Sequence, residues 1–313
     1  MMLPVTKASD IGEERLEARW LIEELWLDQA VGFIGGEPKT CKTSLSLEVA
    51  VAVASGRPCL RRFAVTKSGR VLLYAAEDSL AIIKRRLAAI CQRSELLLSD
   101  CDIHLITAPI VKLDVSDHRQ DLAETLAAIK PALLILDPFI RMHSVDENHA
   151  GEIAPLLGYL RSLQRRYQTA IIVVHHARKR SGNVRAGQSL RGSSEFHAWY
   201  DSHLYLSRQN NNTLTLDIEH RSAPSLEGIN LEIIQASDAV ILEIVEEKKV
   251  VPISSSTVEE KIIAVLTGAN APVSLSDLRQ CCRIRKQTIV RILAELERAK
   301  EIVKTPTGYQ LPT

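Results

Sequence analysis

The chain lacks long apolar runs, low-complexity stretches and internal repeats. None of its apolar runs approaches the roughly 18 residues that a membrane-spanning helix needs, and residues 1–20 contain no apolar signal-peptide core. We therefore expect a cytoplasmic protein without a membrane partner. The hydrophobic share of 46% and the charged share of 25% are typical of a soluble globular protein, so disorder is not expected.

Paired cysteines and a strong net charge are also missing. The six cysteines form no CxxC pair and have no nearby CxxxH motif, so neither a zinc site nor a disulfide framework is indicated. We expect reduced thiols. The formal net charge is only +1, which argues against a surface coated with nucleic-acid-binding charge. Any contact with DNA must come from local basic segments.

The length of 313 residues allows one large domain and one small domain. Residues 1–30 have a charged helical pattern that predicts a lead-in helix. Its apolar face carries Trp20, Leu21, Leu25 and Trp26. The stretch 248–256, with its charges, proline and serines, predicts a linker between a large domain over 31–247 and a small domain over 257–313.

The large domain alternates short apolar runs with helical patterns. Continuous apolar runs indicate strands buried on both faces, so the pattern predicts an α/β fold with a mostly parallel sheet. The runs are 31–34, 71–75, 103–106, 133–136 and 170–174. Between 203 and 247 the pattern changes to a period of two residues, which predicts antiparallel strands that extend the sheet.

Residues 36–44 have the context of a phosphate-binding loop, because an apolar strand precedes them and a helical pattern follows. A strand, a tight loop and a helix N-terminus direct backbone N–H groups towards phosphate oxygens. Lys42 is expected to reach the β- and γ-phosphates, and Thr43 to ligate Mg²⁺. The predicted nucleotide-binding residues are Gly36, Glu37, Pro38, Lys39, Thr40, Cys41, Lys42, Thr43 and Ser44.

Cys41 departs from the P-loop pattern, because it stands where the second glycine belongs. A side chain at this position carries a cost if the backbone needs a positive φ, and it crowds the approach to phosphate. We therefore expect weakened nucleotide binding or slowed turnover. The alternative interpretation of the whole segment is a strand-turn-helix connection without a function.

Polar residues follow three of the predicted strands. Asp137 ends an apolar run in the form of a Walker B motif, which predicts a carboxylate that holds the Mg²⁺ shell through water; alternatively it is a turn or cap residue. Glu77 is the candidate base that orients the attacking water, whereas Asp78 fits a helix N-cap better. His175 and His176 follow the run 170–174 at the edge where open α/β sheets bind ligands, so a histidine there can contact the γ-phosphate.

Four ordered motifs make a family resemblance specific. After the P-loop come the runs 137–143 with 146–148, 175–179 and 191–194. Over residues from about 20 to 245 the chain resembles the RepA-type hexameric helicases of plasmids and the wider group of RepA-like ATPases. The resemblance implies a RecA-like ATPase ring that uses ATP and Mg²⁺. The residues that it assigns to the nucleotide are Lys42, Thr43, Glu77, Asp137 and His176.

The resemblance also implies that Arg191 is an arginine finger for the ATP of the neighbouring subunit, so that hydrolysis reports on ring assembly. Arg221 is the rival finger. The basic segment 178–187 is expected to face the channel of the ring and to track single-stranded DNA. Its cations include Arg178, Lys179, Arg180 and Arg185. The alternative for this segment is a solvated mobile loop.

Residues 257–313 have the pattern of three helices and a hairpin, which resembles a winged helix-turn-helix. The start of the third helix is where side chains read duplex DNA in such domains. It carries Arg283, Arg285, Lys286, Gln287 and Thr288. Winged helices also mediate protein contacts, so protein docking stays open as an alternative.

Two functions from different classes follow from these patterns. The first is an ATP-driven, ring-forming DNA helicase or translocase for the replication or mobility of a plasmid, phage or transposon. Its expected partners are single- and double-stranded DNA, further copies of the chain in a hexamer, and replication or transposition proteins. The second is a DNA-bound ATPase switch that recruits partners without unwinding. A weakly hydrolysing nucleotide-binding scaffold is a third hypothesis, which rests on Cys41 alone.

Overall fold

The computed structural model describes residues 3, 5–10, 20–176, 195–236, 239–245, 258–267, 272–282, 286–299, 301–305 and 308–312. The chain divides into two compact units, Met1–Glu246 and Glu247–Thr313. The predicted linker 248–256 lies outside the described residues. Among the described residues, no helix has the length and apolar character that crossing a membrane requires.

Near the start of the first unit, a hairpin stands where the sequence pattern predicted a helix. A 3₁₀ turn at Ala8–Asp10 precedes the antiparallel strands β1 (Trp20–Ile22) and β2 (Trp26–Leu27). The predicted lead-in helix is therefore wrong over the described residues from 20 onwards. Glu24 has φ 58°, which a helix does not allow, and it lies in the tight turn between the strands. The spacing of the apolar residues alone could not distinguish a helix from a hairpin, because both would bury the same side chains.

The core of this unit is a sheet of nine strands in the order β11-β10-β9-β8-β3-β7-β6-β4-β5. The strands are β3 Val31–Gly36, β4 Val71–Ala75, β5 Ile103–Leu105, β6 Leu133–Asp137, β7 Ala170–His176, β8 Ser202–Arg208, β9 Thr213–His220, β10 Leu226–Ala236 and β11 Ala239–Ile244. Pairing is parallel from β8 through β3 to β5, and antiparallel from β8 to β11. The predicted α/β fold with an antiparallel extension is confirmed.

Helices cover both faces of the sheet, which explains the continuous apolar runs. The helices are α1 Lys42–Ser55, α2 Leu80–Arg93, α3 Ser116–Ile129, α4 Ala150–Tyr167 and α5 Glu195–Trp199. Along β3, Phe33 and Ile34 belong to apolar clusters on opposite faces. Leu45 of α1 packs into one cluster, and Leu160 of α4 packs into the other. Alternate strand residues thus meet a helical layer on either side.

The parallel strands bring several polar residues to one edge of the sheet. In the strand registers Gly36 pairs with His176, and Ala75 pairs with Asp137. These four residues end β3, β7, β4 and β6, so the loops that follow these strands emerge side by side. Open α/β sheets bind ligands at this edge.

The second unit contains the three helices α6 Val258–Thr267, α7 Leu275–Cys282 and α8 Lys286–Arg298, followed by the hairpin of β12 (Val303–Thr305) and β13 (Gly308–Gln310). These elements match the predicted ones. Ile262, Leu278 and Leu293 lie in the shared apolar core. Lys286, Gln287 and Thr288 occupy the first turn of α8, whereas Arg283 and Arg285 lie outside the described residues.

Candidate active site

The phosphate-binding loop connects the end of β3 to the start of α1. Gly36 has φ 155°, and a Cβ at this position would lie 2.4 Å from the Leu206 carbonyl oxygen and 2.7 Å from Thr40 Oγ1. The position therefore requires glycine. The Thr40 hydroxyl donates a hydrogen bond to the Glu37 carbonyl at 2.8 Å, which closes the loop on itself.

Cys41 adopts φ 60° and ψ 30°, directly before the first residue of α1. The expectation of a positive φ at this position is confirmed. A non-glycine residue in this conformation costs about 1–2 kcal/mol, and Lys39 carries the same kind of cost with φ 64°. Burial raises the pKa of the Cys41 thiol, although the charges of Arg208 and Lys42 act in the opposite direction. The thiol is therefore protonated at neutral pH.

Lys42 is buried at the start of α1, and its ammonium group lies against the loop. Nζ donates hydrogen bonds to the Glu37 carbonyl at 2.7 Å and to the Gly36 carbonyl at 3.1 Å. Burial lowers the pKa of Lys42 to about 8, and the carboxylate of Asp137 opposes this shift. The ammonium group is thus mostly charged at neutral pH and is held beside the loop that would receive phosphate.

Asp137 ends β6, and the side chain of Thr43 lies beside its carboxyl group. Burial raises the pKa of Asp137 to about 6, although the Thr43 side chain opposes the shift. Within the described part of the chain, its buried Oδ2 has no hydrogen-bond partner. A hydroxyl beside a carboxylate oxygen with spare acceptor capacity is a donor set that suits Mg²⁺ bound together with a nucleotide. These residues therefore fit the predicted cofactors.

Two consecutive acids follow β4, and each is paired with an arginine that the sequence analysis missed. Glu77 Oε1 lies 2.8 Å from Arg141 Nε, and both side chains are largely exposed. Asp78 Oδ2 lies 2.5 Å from Arg86 Nη1. Ser79 is the N-cap of α2, so the cap lies in the Asp78–Ser79 segment but at its second residue. An arginine eight residues after its partner, on the next helix, belongs to no motif that the sequence could have revealed.

One cavity of about 440 Å³ brings most of the predicted site residues together. Its lining includes Lys39, Thr40, Cys41, Lys42, Thr43, Ser44, Glu77, Asp137 and His176, together with Arg86. Gln235, Ala239 and Val240 line its other side. These three residues could not be assigned to the site from the sequence, because they come from the antiparallel strands.

The two histidines at the end of β7 have different surroundings. Both histidines line a neighbouring cavity of about 520 Å³ together with Pro38, and His176 also lines the cavity that contains Lys42. His175 stacks on Phe196 with a distance of 4.7 Å between ring centroids. Of the pair, His176 is therefore the one that shares a cavity with Lys42, Thr43 and Asp137.

The remaining predicted site residues are not in this cavity or lie outside the described residues. The second group contains Arg178, Lys179, Arg180, Arg185 and Arg191. Arg221 directly follows β9, and its Nη1 lies 3.6 Å from Oδ1 of Asp201, the residue before β8. Because β8 runs parallel to β3, this is the edge of the sheet opposite Gly36. Arg221 is thus remote from the nucleotide cavity of its own chain.

The fold and this cavity define the protein as a RecA-like P-loop NTPase. A family model described as AAA domain matches residues 1–182, and the chain belongs to that family.

Two solved structures share the fold. One is a DnaB-like replicative helicase, studied together with its interactions with primase; it is 13% identical with a TM-score of 0.53, and the match covers 68% of this chain and 59% of the helicase chain. The other is the RadB recombinase, which is 15% identical with a TM-score of 0.50 over 70% of this chain and 92% of the recombinase chain. The likeness at these identities concerns the fold.

Proposed function

We propose that the protein is an ATP-hydrolysing, ring-forming DNA helicase or translocase of the RepA type. The observation that carries the proposal is the single cavity that gathers Lys42, the Thr43–Asp137 pair and Glu77 at the carboxyl edge of a RecA-like sheet. When bound, Mg²⁺–ATP supplies the phosphoanhydride that is cleaved and a cation that neutralises charge on the β- and γ-phosphate oxygens.

The residues of the chain have separate parts in this reaction. The loop amides and the N-terminus of α1 receive the phosphates, and Lys42 exchanges the Gly36 and Glu37 carbonyls for phosphate oxygens. Thr43 and Asp137 hold the cation shell. Glu77 leaves its ion pair with Arg141 and orients the attacking water.

The action on DNA is proposed from further features of the chain. The similarity in fold to a DnaB-like replicative helicase supports a motor on DNA. In this proposal the cations of 178–185 hold a single strand in a hexameric channel, Arg191 reaches the neighbouring nucleotide, and His176 contacts the γ-phosphate. The second unit is a winged helix that holds duplex DNA through Arg285, Lys286, Gln287 and Thr288, and replication or transposition proteins join the assembly.

A DNA-bound ATPase switch is the second candidate. It is favoured by the division of the chain into two compact units, because a separate small unit can recruit the ATPase to one site without strand separation. Both candidates use the same nucleotide chemistry. They differ in whether hydrolysis is coupled to movement along DNA.

Strand displacement from a forked DNA, measured beside phosphate release, tests the proposal. We expect ATP-dependent displacement by the native chain and none by Lys42→Ala. Hydrolysis that DNA stimulates, without any displacement, would establish the switch instead. A native chain that neither binds nor hydrolyses ATP at millimolar concentration, while Cys41→Gly does both, would support the scaffold hypothesis.

A further inference from the structure

Arg208, the last residue of β8, bridges the P-loop and the β8–β9 turn. Its Nη2 donates a hydrogen bond to the Lys39 carbonyl. Its Nη1 donates to the Asn211 carbonyl at 2.8 Å and to the Asn210 carbonyl at 3.3 Å. The guanidinium group thus connects the P-loop to the β8–β9 turn, and Arg208 itself lies 169 residues after Lys39 in the chain.

The strand register explains why Arg208 reaches the loop. β8 pairs in parallel with β3, and the last residue of β3, Gly36, is opposite Leu206. Two residues further along β8, the chain has passed the end of β3 and lies beside the loop. The turn after β8 is folded by Asn210, whose Oδ1 accepts hydrogen bonds from the amides of Asn212 and Thr213 at 2.9 and 3.0 Å. These hydrogen bonds hold the turn so that its carbonyls at Asn210 and Asn211 face Arg208.

The P-loop of this chain needs such support because two of its residues other than glycine have a left-handed conformation. Lys39 has φ 64° and Cys41 has φ 60°. Conformations of this kind persist when the surroundings determine them by several contacts. Two of the contacts come from Lys42 Nζ, which holds the Gly36 and Glu37 carbonyls. These two contacts are lost when Lys42 turns to phosphate, whereas the contact from Arg208 to Lys39 can stay.

We propose that Arg208 is a positioning residue that holds the P-loop in its nucleotide-binding conformation and offsets the missing glycine at position 41. It acts on the backbone at Lys39 and not on the nucleotide. The proposal rests on the proposed nucleotide binding at this loop. It concerns the preorganisation of the loop and is independent of whether the protein unwinds DNA.

The test is a double-mutant cycle of Arg208→Ala and Cys41→Gly, with calorimetric Kd values for a non-hydrolysable ATP analogue and Mg²⁺. We expect Arg208→Ala to raise Kd about tenfold in the native background, the lower end of what the loss of one charge-assisted hydrogen bond implies. In the Cys41→Gly background we expect less than about a twofold rise, because glycine adopts the left-handed conformation without steric cost. Arg57→Ala, an exposed arginine just beyond the far end of α1, is the control and should leave Kd unchanged.

Two further measurements separate positioning from simple attraction of phosphate. Arg208→Lys keeps the positive charge but cannot bridge the loop and the turn, so we expect it to resemble Arg208→Ala. Hydrogen exchange of residues 36–44 in the nucleotide-free protein should be several-fold faster in Arg208→Ala, with an unchanged melting temperature. Equal Kd ratios in both backgrounds, full rescue by Arg208→Lys, or unchanged exchange would each overturn the proposal. If the native chain shows no hydrolysis or no strand displacement, only the proposed function fails. The role of Arg208 is still tested, because hydrogen exchange is measured without nucleotide.

Discussion

The side chain of Thr43 lies beside the buried carboxyl group of Asp137 and opposes the rise in its pKa, so the first turn of α1 meets the end of β6. The two residues are far apart in the sequence, and each belongs to a different motif. In the proposed function, their contact brings the two proposed cation-holding residues together before any ligand arrives. The carboxylate retains one oxygen without a hydrogen-bond partner among the described residues.

Asp137→Asn is expected to separate stability from activity. The substitution removes a buried charge whose Oδ2 has no hydrogen-bond partner among the described residues, so the melting temperature should rise by about 2–4 °C, which corresponds to about 1 kcal/mol. Hydrolysis of ATP should fall at least about a hundredfold, because the amide supplies no charge to the cation shell. Thermal unfolding and phosphate release check both effects. A variant that is less stable and fully active would contradict the assigned role.

Glu48, buried in α1, is expected to make stability depend on pH. Burial raises the pKa of its carboxyl to about 7 from an ordinary value of 4.5, and Oε1 has no hydrogen-bond partner within the described chain. The folded state therefore favours the protonated form. The stability that this proton provides is complete below pH 4.5 and is lost as the pH rises through about 7.

Glu48→Gln should accordingly stabilise the protein at high pH only. At pH 8 its free energy of unfolding should exceed that of the native chain by about 1–3 kcal/mol, and at pH 4.5 the two should be close. Urea unfolding at both pH values measures the difference. Glu124→Gln, on the exposed surface of α3, is the control. A difference that does not change with pH would show that Glu48 does not titrate as described.

Cys41→Gly is expected to tighten nucleotide binding, by roughly tenfold if the strain of the left-handed conformation, about 1–2 kcal/mol, is borne only on binding. The native chain should still hydrolyse ATP slowly in the presence of Mg²⁺, because Lys42, Thr43 and Asp137 surround the same cavity. Calorimetry and phosphate release on both proteins provide the measurements. Unchanged affinity would mean that the nucleotide-free loop already bears the cost of this conformation.

Mixing Lys42→Ala subunits with Arg191→Ala subunits should restore part of the hydrolysis that each variant lacks. A mixed interface can pair an intact P-loop with an intact finger from the neighbouring chain. Phosphate release at several mixing ratios, with light scattering to confirm assembly, measures the recovery. No recovery would mean that Arg191 acts on the nucleotide of its own subunit or takes no part in hydrolysis.

Removal of residues 257–313 should lower binding to duplex DNA and leave the stimulation of hydrolysis by single-stranded DNA largely intact. The reason is that the two proposed basic elements lie in different parts of the chain. Fluorescence anisotropy with duplex DNA and phosphate release with single-stranded DNA give the two readouts. An equal loss of both activities would argue against separate roles.

The strands of the sheet could be predicted from the sequence because helices cover both faces. Runs such as 133–136 are apolar at every position for this reason, and the polar residue that ends a strand is then visible at once. The hairpin of β1 and β2 could not be predicted in the same way. Its buried residues Leu21, Leu25 and Trp26 have a spacing that also suits one face of a helix.

By itself, the sequence determined the fold class and the local chemistry of the P-loop, because periodicity and the order of residue types depend on near neighbours in the chain. Only the tertiary structure decided which distant charges meet. Arg141 pairs with Glu77 across 64 residues, and Arg208 holds the Lys39 carbonyl across 169. Such contacts arise from the order and register of the strands, and an exposed arginine has no periodicity that reveals its partner.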